Sequence, residues 1–321
     1  MFETEADAVQ MTRYAVTGGA GFIGSNIVRD LVIRGHDVIV VDDLSSGHKV
    51  NLEPFPGVTV KHTSILEEET LYSAFDKVDT VFHLAASVGN KRSIDNPALD
   101  ATINVIGTIN VLEACRKVGV RKIVVSSSAG IFGELMEIPI SEDHAIDPDS
   151  PYGASKLAAE KLCLAYAKLY DIEAIALRYF NVFGPNQRFD AYGNVIPIFV
   201  FNMLDGQPIT IFGDGEQTRD FIYVTDVVQA NIKASETRGL SGAFNIASGT
   251  RITINELVIR LSDLIPGQHS VNYGPQRPGD VRDSLADISA AKHALGFEPT
   301  VTIGDGLTEY VRWAMGQVNR V

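Results

Sequence analysis

Short apolar strands and helices alternate regularly along the first half of this chain of 321 residues. Strands are predicted at 13–17, 37–41, 58–62, 80–84, 122–126 and 172–177, with helical segments between them. Strands that alternate with helices form parallel sheets covered on both faces, because a parallel neighbour needs a long crossover connection. The pattern therefore predicts an α/β fold built on a doubly wound parallel sheet, with ligands at the carboxyl ends of its strands.

A glycine-rich turn lies between the first strand and the first helix and has the spacing GxxGxxG. Gly18 permits a tight turn, Gly21 lets the backbone approach a pyrophosphate, and Gly24 lets the helix pack closely on the strand. The helix after this turn offers unpaired N–H groups at its N-terminus to phosphate oxygens. Glycine triplets also occur in plain turns, but the position between a strand and a helix favours a dinucleotide-binding site.

Asp42 directly follows the second strand, close to the position about 20 residues beyond the glycines where an acid hydrogen-bonds the adenosine ribose. The alternative is a polar residue that merely ends a strand. No arginine follows within the next several residues to hold a 2′-phosphate. The pattern therefore predicts NAD rather than NADP as the cofactor.

Tyr152 and Lys156 stand at positions i and i+4 of a segment that begins with Ser150-Pro151, a favourable start for a helix. A phenol has a pKa of about 10, and a nearby ammonium group lowers that pKa. The pair can therefore act as a general base that takes a proton from an alcohol. This spacing is common by chance, and the alternative is a half-buried tyrosine beside a solvated lysine.

Two further polar residues lie where they can serve the same site. Ser128 ends the fifth strand, where its hydroxyl can hydrogen-bond the alcohol oxygen that Tyr152 deprotonates; local bonds to the backbone are the alternative. Asn104 stands in the middle of a helix predicted at 97–118, where asparagine is unfavourable. It is either a buried polar bridge near the site or an exposed surface residue.

Composition argues against several other classes of protein. The formal net charge of −13 disfavours nucleic-acid binding, which requires a basic face. The sequence contains no uninterrupted run of about 18 apolar residues, so no membrane span is predicted. Residues 1–10 are predicted to form an N-terminal extension without the pattern of a secretory signal. No metal site is predicted, because the histidines and the two cysteines, Cys115 and Cys163, lack metal-ligand spacing. Buried thiols in a reducing compartment are the simplest interpretation of these cysteines, which favours a cytoplasmic location.

The regular alternation of strands and helices breaks near residue 182. Residues 11–181 are predicted to form the dinucleotide-binding domain, and residues 182–321 a smaller mixed α/β domain for the substrate. Within the second part, a strand at 243–247 is a candidate to rejoin the first sheet.

Two arginines of the second part, Arg219 and Arg277, are candidates to clamp a diphosphate. A guanidinium group presents a fork of donors that matches paired phosphate oxygens. Surface ion pairs with the nearby Asp220 and Asp280 are the alternative for these two residues.

Taken together, these segments resemble the extended short-chain dehydrogenase/reductase family. The matching segments are TGGAGFIG at 17–24, DDLSS at 42–46, HLAA at 83–86, SSSA at 126–129, YGASK at 152–156, LRYFNVFG at 177–184, GDG at 213–215, RDF at 219–221 and RPGD at 277–280. Within the family the chain looks like the nucleotide-sugar 4-epimerases. The resemblance implies a Rossmann-type doubly wound sheet with a smaller mixed α/β domain, bound NAD and a UDP-sugar substrate.

The resemblance also assigns roles to individual residues. It implies Ser128, Tyr152 and Lys156 as the catalytic set, supported by Asn104. The residues implied around NAD are Gly18, Gly21, Phe22, Ile23, Asp42, Asp43, Ser64, Ile65, Leu84, Ala85, Ala86, Asn104, Lys156 and Tyr179. The residues implied around the UDP-sugar are Ser87, Ser128, Asn181, Phe212, Arg219, Arg277, Asp280 and Ser284. The family more often carries Asp-Ile where this chain has Ser64-Ile65.

One departure narrows the implied reaction. Relatives that dehydrate sugars carry an acid pair after the serine of the fifth strand, and decarboxylating relatives tend to carry Glu at the second of these positions. This chain has Ala129-Gly130 there. Elimination needs such acidic groups, whereas oxidation followed by re-reduction does not. The resemblance therefore implies an NAD-dependent UDP-sugar 4-epimerase that works through a 4-keto intermediate.

The expected substrates depend on Ser284, which matches a position beside the C2 substituent of the sugar. Its small side chain leaves room for an N-acetyl group, so UDP-GlcNAc and UDP-GalNAc are expected besides UDP-glucose and UDP-galactose. The alternatives are a dehydratase, a decarboxylase or a 4-keto reductase of the same fold, and a non-catalytic dinucleotide-binding protein. The resemblance further implies a homodimer, in which the helices around 97–118 and 151–170 pack against their copies.

Overall fold

The computed structural model of the protein describes residues 11–187, 194–276 and 281–318, so Arg277 and Asp280 lie outside the described residues. The strands are β1 Arg13–Thr17, β2 Asp37–Asp42, β3 Thr59–His62, β4 Thr80–His83, β5 Lys122–Ser128, β6 Glu173–Tyr179, β7 Asn181–Phe183, β8 Ile209–Phe212, β9 Thr218–Arg219, β10 Phe221–Tyr223, β11 Gly242–Ile246, β12 Ile252–Thr253 and β13 Val271–Gly274. The helices are α1 Phe22–Ile33, α2 Glu68–Ala74, α3 Asn90–Asp95, α4 Pro97–Ala101, α5 Gly107–Val118, α6 Pro151–Leu169, α7 Val195–Leu204, α8 Val224–Glu236, α9 Ile254–Leu264, α10 Ser289–Leu295 and α11 Ile303–Val318. A π-helical turn, Thr102–Ile106, joins α4 to α5.

Seven strands of the described residues form one parallel sheet in the order β11-β6-β5-β4-β1-β2-β3. This confirms the predicted doubly wound parallel sheet. The strand order reverses between β1 and β4, which is the place where sheets of this kind bind ligands. Thr17 pairs with both Val41 and His83, so the carboxyl ends of β1, β2 and β4 meet at one edge.

Helices cover both faces of this sheet. On one face α1 and α8 pack together with α10 and bury side chains such as Ile27, Leu31 and Val227. On the other face α2, α5 and α6 bury side chains such as Leu71 and Leu112. Each large apolar side chain that leaves water in this way stabilises the fold by about 1.5–3 kcal/mol. The two helical layers thus hold the sheet rigidly beneath the ligand edge.

The second half of the chain contributes to both parts of the molecule. The strand predicted at 243–247 corresponds to β11, which pairs with β6 at the end of the large sheet. The helices α7, α9 and α11 form a separate core with the short strands, in which Phe183, Leu257 and Tyr310 are buried. The division of the chain at residue 182 stays a prediction.

The segment Pro97–Val118 is long and apolar enough, by length and composition alone, to cross a membrane. In the fold it packs sideways against α2 and α6, as a helix of a folded domain does. Cys115 on this segment and Cys163 on α6 are buried free thiols. Over the described residues, no group of His, Cys, Asp and Glu side chains could hold a metal ion.

Candidate active site

The glycine turn after β1 has no room for side chains at two of its three predicted positions. Gly18 has a φ of +70°, and a Cβ there would lie 2.7 Å from the backbone N of Ala85. A Cβ on Gly24 would lie 2.2 Å from the backbone O of Gly18. The helix α1 then begins at Phe22, and no side chain caps its first N–H groups. Open N–H groups behind a close-packed turn are the groups that a helix N-terminus offers to a diphosphate, and binding of one here remains a prediction.

Asp42 is held at the end of β2 with its carboxylate in a fixed orientation. It is buried and accepts hydrogen bonds from the backbone N–H groups of Ala20 at 2.9 Å and Leu44 at 2.8 Å. Burial raises the pKa of this carboxyl above its ordinary value, and the two hydrogen bonds oppose that effect. Each oxygen accepts one of these bonds and keeps a lone pair for a further donor. The geometry therefore fits the hydroxyl groups of a ribose, while the neighbouring Asp43 is exposed.

A buried histidine ties the glycine turn to the helix that carries Asn104. His83 at the end of β4 contacts the hydroxyl of Thr17 at 2.8 Å through Nδ1 and that of Thr108 at 3.0 Å through Nε2. Burial lowers its pKa to about 3, so the ring is neutral at physiological pH. No role was predicted from the sequence for His83 or Thr108. A histidine at the end of an apolar strand was the available signal.

Tyr152 and Ser128 meet where β5 ends and α6 begins. Ser150 caps α6 by accepting the N–H of Gly153 at 3.1 Å, as the Ser-Pro start predicted. The side chains of Tyr152 and Ser128 lie close enough for the Ser128 hydroxyl to lower the pKa of the Tyr152 phenol, and Ser128 Oγ accepts the N–H of Gly130 at 3.1 Å. The structure thus brings together two residues that stand far apart in the sequence. A hydroxyl and a phenol thus lie close together, where both could hydrogen-bond one alcohol oxygen.

Lys156 is buried beside this pair, one turn further along α6. Its Nζ donates to Ser126 Oγ at 3.2 Å, and burial lowers its pKa to about 8. The spacing argument predicted that Lys156 lowers the pKa of Tyr152. That prediction is wrong for the chain by itself, because burial raises the pKa of Tyr152 and the hydrogen bond with Ser128 opposes the rise. The ammonium points to Ser126 on β5 instead.

Asn104 proves to be a buried polar bridge and not a surface residue. It lies in the π-helical turn, is 2% exposed, and accepts the N–H of Ser87 at 2.7 Å. Its Nδ2 donates to the carbonyl of Ser87 at 3.0 Å and to Ser155 Oγ at 2.9 Å. Ser155 Oγ in turn donates to Asp100 Oδ2 at 2.6 Å. Ser155 and Asp100 were not predicted from the sequence, because the residues that they bind lie 51 and 55 positions away.

The other predicted cofactor residues follow the same edge of the sheet. Leu84, Ala85 and Ala86 are half-buried after β4, next to the glycine turn. Ile65 is buried after β3, and Ser64 accepts the N–H of Leu66 at 3.2 Å. Tyr179 at the end of β6 is buried and donates to Asn231 of α8 at 3.0 Å. Their contacts with a cofactor remain predictions.

The predicted substrate residues of the second half lie on the short strands. Asn181 donates to the carbonyl of Asp220 at 2.9 Å, and Arg219 donates to the carbonyl of Thr218 at 2.8 Å. Asp220 is fully buried and accepts hydrogen bonds from Ser248 and from the backbone N–H groups of Gly249 and Ala286. Asp220 is therefore a structural clamp between neighbouring segments.

A cavity of about 270 Å³ opens beside Phe212. Its remaining lining residues are Gly213, Asp214, Gln217, Gln276, Val281 and Arg282. Arg282 and Asp214 form a bidentate ion pair at this cavity. Ser284, two residues after Arg282, is buried. The lining combines one aromatic face with several polar groups, which suits a flat polar ring.

Comparisons with known proteins give matches over most of the chain. The model of the NAD dependent epimerase/dehydratase family matches residues 14–247. The putative UDP-glucose 4-epimerase of Methanocaldococcus jannaschii is 40% identical over 302 residues, which are 93% of this chain and 97% of the relative.

Solved structures are similar over almost the whole chain. The UDP-glucose 4-epimerase of Thermotoga maritima, crystallised with UDP-glucose, is 40% identical with a TM-score of 0.91 and covers 96% of this chain and 100% of its own. A UDP-N-acetylglucosamine 4-epimerase from Methanobrevibacter ruminantium, in complex with UDP-N-acetylmuramic acid, is 37% identical with a TM-score of 0.92. That structure covers 96% of this chain and 99% of its own.

Proposed function

The chain belongs to the NAD dependent epimerase/dehydratase family, and on this basis we propose that it is a UDP-sugar 4-epimerase. It interconverts UDP-glucose with UDP-galactose, and UDP-GlcNAc with UDP-GalNAc, through a 4-keto sugar. The observation that carries the proposal is the proximity of the Tyr152 and Ser128 side chains to each other beside the buried Lys156, at the edge of the sheet where the glycine turn lies. These residues can move a proton reversibly next to a dinucleotide.

In this mechanism Tyr152, as the phenolate, takes the proton of the sugar 4-hydroxyl while Ser128 holds the same oxygen by a hydrogen bond. Bound NAD supplies the acceptor and later the donor of the hydride at C4. Once the 4-keto sugar has turned to present its other face, Tyr152 returns the proton. We assign Lys156 to the ribose hydroxyls of the cofactor and Asp42 to the adenosine ribose, since both hold polar groups in fixed, buried positions.

The surroundings of Ser128 favour epimerisation over elimination or decarboxylation. A Cβ on Gly130 would lie 3.4 Å from Ser128 Oγ and 3.8 Å from the ring of Tyr152. An acidic side chain at position 130 would therefore stand directly beside the reacting oxygen, and this chain has none there. Without a second acid or base at that point, the proton that Tyr152 removes can only be returned.

We assign the second half of the chain to the nucleotide. The cavity beside Phe212 would hold the uracil, Arg219 and Arg277 the diphosphate, and Asp280 the uridine ribose. The amide of Asn181 would face the diphosphate as well. The small side chain of Ser284 would leave space for an N-acetyl group at C2 of the sugar.

We further propose that the protein is a cytoplasmic homodimer. The helices α3, α4 and α5 pack beside α6, and this layer exposes large apolar side chains. Ile94 is 63% exposed, Leu99 44%, Ile106 50% and Leu169 71%. A second copy of the same helices would cover these side chains in a four-helix bundle. The two free buried thiols suit a reducing compartment.

The test is incubation of the purified protein with each of the four UDP-sugars, without added NAD, followed by separation of the products. We expect interconversion within each pair and no accumulation of NADH. The variant Tyr152→Phe should lose at least about a hundredfold in kcat while remaining folded, because a general base contributes 10²–10⁴-fold. The matched control is Tyr170→Phe, since Tyr170 is 42% exposed at the end of α6.

Other outcomes would point to a different enzyme. Normal turnover by Tyr152→Phe would overturn the mechanism. Stoichiometric NADH release would indicate a dehydrogenase or a 4-keto reductase, and loss of water or carbon dioxide from the product would indicate a dehydratase or a decarboxylase. A protein that holds NAD and turns over no UDP-sugar would be a binding protein.

A further inference from the structure

Asp100 is a buried acid that the proposed reaction does not use. It lies in the short helix α4 and is 1% exposed. Its Oδ2 accepts the hydroxyl proton of Ser155 at 2.6 Å. Its Oδ1 is buried and has no hydrogen-bond partner among the described residues. Burying a carboxylate with one hydrogen bond is costly, so this arrangement calls for a functional explanation.

Ser155 connects Asp100 to the reacting residues. It stands between Tyr152 and Lys156 on α6, is 5% exposed, and lies within 3.1 Å of the carbonyl oxygen of Tyr152. Its hydroxyl also accepts the amide of Asn104 at 2.9 Å. The hydroxyl has one proton, and the short contact with Asp100 is the charge-assisted bond that orients it. Asp100 therefore sets the direction of the polar chain that fixes the first turn of α6.

The other titratable groups around Tyr152 and Lys156 are neutral or paired. Glu160 on α6 is bound by Nε and Nη2 of Arg178, at 3.0 and 2.8 Å. His83 on β4 is neutral, because burial lowers its pKa to about 3. Burial raises the pKa of Cys163 on α6 to about 12, so this thiol is neutral as well. From β5, the pair faces the hydroxyls of Ser126 and Ser128.

We propose that Asp100 is a positioning residue for the epimerase reaction: through Ser155 it fixes the turn of α6 that carries Tyr152, and its buried carboxylate, which has no ion-pair partner among the described residues, is the charge that acts on Tyr152 and Lys156. This inference rests on the proposed function, because it takes Tyr152 as the proton carrier. A negative charge nearby disfavours the phenolate and favours the ammonium. In agreement with this sign, Asp100 raises the pKa of Tyr152 and that of Lys156.

The test uses Asp100→Asn, which keeps the shape and an acceptor for Ser155 but removes the charge. The matched control is Asp95→Asn on α3, because Asp95 is exposed and pairs with Lys91 at 2.8 Å on the same helix. We expect both limbs of the pH profile of kcat to move to lower pH by roughly one unit in Asp100→Asn and to stay in place in the control. A residue that only stabilised the fold would change the temperature of unfolding without moving this profile.

A second pair of variants tests the hydrogen bond. Asp100→Ala and Ser155→Ala should each lower kcat about ten- to a hundredfold with little change in KM, because a misplaced base loses its alignment and not its substrate. The double variant should lose no more kcat than either single variant, since the two single variants and the double variant all remove the same hydrogen bond. Additive losses in the double variant would contradict the positioning role.

A readout without substrate separates this inference from the proposed function. As the pH rises, the folded chain gains stability when Lys156 loses its proton. This gain should begin at a lower pH in Asp100→Asn than in the original chain. This is measured as the pH dependence of urea unfolding, with Lys156→Met in each background as the reference. If the original chain turned over no UDP-sugar, the proposed function would fail alone. If turnover were normal and both pH dependences of Asp100→Asn matched those of the original chain, the inference would fail alone.

Discussion

Among the individual residues of the site, burial outweighs spacing in setting the chemistry of Tyr152 and Lys156. Their i, i+4 arrangement suggests an ammonium group that acts directly on a phenol. In the fold the ammonium donates to Ser126. Burial raises the pKa of Tyr152 and lowers that of Lys156, and both shifts favour the neutral form of the side chain. The same burial removes water from the place where we propose that the proton is transferred, which strengthens every remaining polar interaction.

The lowered pKa of Lys156 leads to a prediction about how the stability of the fold responds to pH. Its pKa falls from 10.5 to about 8 in the folded chain. Between these values the unfolded chain holds a proton that the folded chain has released, so the stability contribution rises as the pH rises from 8 to 10.5. Complete loss of the Lys156 proton raises the free energy of unfolding by at most about 3 kcal/mol.

The measurement is the free energy of unfolding in urea across this pH range, for the original chain and for Lys156→Met. The difference between the two should grow in favour of the original chain as the pH increases. The Met variant carries no titrating group at this position, so its own pH dependence accounts for all other residues. A difference that stays constant with pH would show that Lys156 titrates normally.

Among the helices and strands, the π-helical turn Thr102–Ile106 decides which way Asn104 points. A π turn adds one residue to a helix and rotates the residues after it, and such turns occur frequently at functional sites. Here it directs Asn104 inward, where the amide binds both the N–H and the carbonyl of Ser87 and the hydroxyl of Ser155. One side chain thus joins the end of β4 to the start of α6.

Replacing this side chain should therefore cost both stability and activity. We expect Asn104→Ala to lose about 3–5 kcal/mol of unfolding free energy, because it leaves the buried N–H and carbonyl of Ser87 without partners. The control Thr102→Ala lies in the same turn but is exposed, and it should cost less than about 1 kcal/mol. Denaturant unfolding and kcat are measured for both variants. Equal losses in the two variants would refute the bridging role.

Across the whole molecule, the helical layer of α3 to α6 leaves large apolar side chains in water. A protein with a net charge of −13 repels its own copies at long range, so association needs a good apolar contact. Interfaces of stable dimers bury about 800 Å² per partner, which side chains such as Leu99, Ile106 and Leu169 can begin to supply. The proposed dimer is therefore open to a simple test.

The variant Ile106→Glu should convert the dimer into a monomer, because it places a charge in the centre of the proposed contact. Sedimentation velocity gives the mass of two chains for the original protein and of one chain for this variant. Ile259→Glu is the matched control, since Ile259 is 62% exposed on α9, away from this layer. A monomeric original protein, or an Ile106→Glu variant that stays dimeric, would contradict the proposal.

Much of the site was predictable because it depends on local spacing. The alternation of strands and helices defines the parallel sheet, and in such a sheet residues at the ends of strands share one edge. The glycine turn, Asp42 and Ser128 could be placed in this way, and the absence of acids at Ala129-Gly130 is visible without any structure. The helix start at Ser150-Pro151 also follows from local capping chemistry.

The partners of these residues depended on tertiary packing. Thr17 and His83 are separated by 66 residues and Asp100 and Ser155 by 55, and no periodicity predicts which polar side chains meet across such distances. Whether Asn104 faced water or the interior, and that Lys156 turns to Ser126, likewise depended on how the helices pack on the sheet. The pKa of each group follows from that packing, because it sets both the loss of water and the neighbouring charges. Local sequence thus specified which chemical groups lie at this edge of the sheet. The tertiary packing set the pKa, and so the protonation state, of each of these groups.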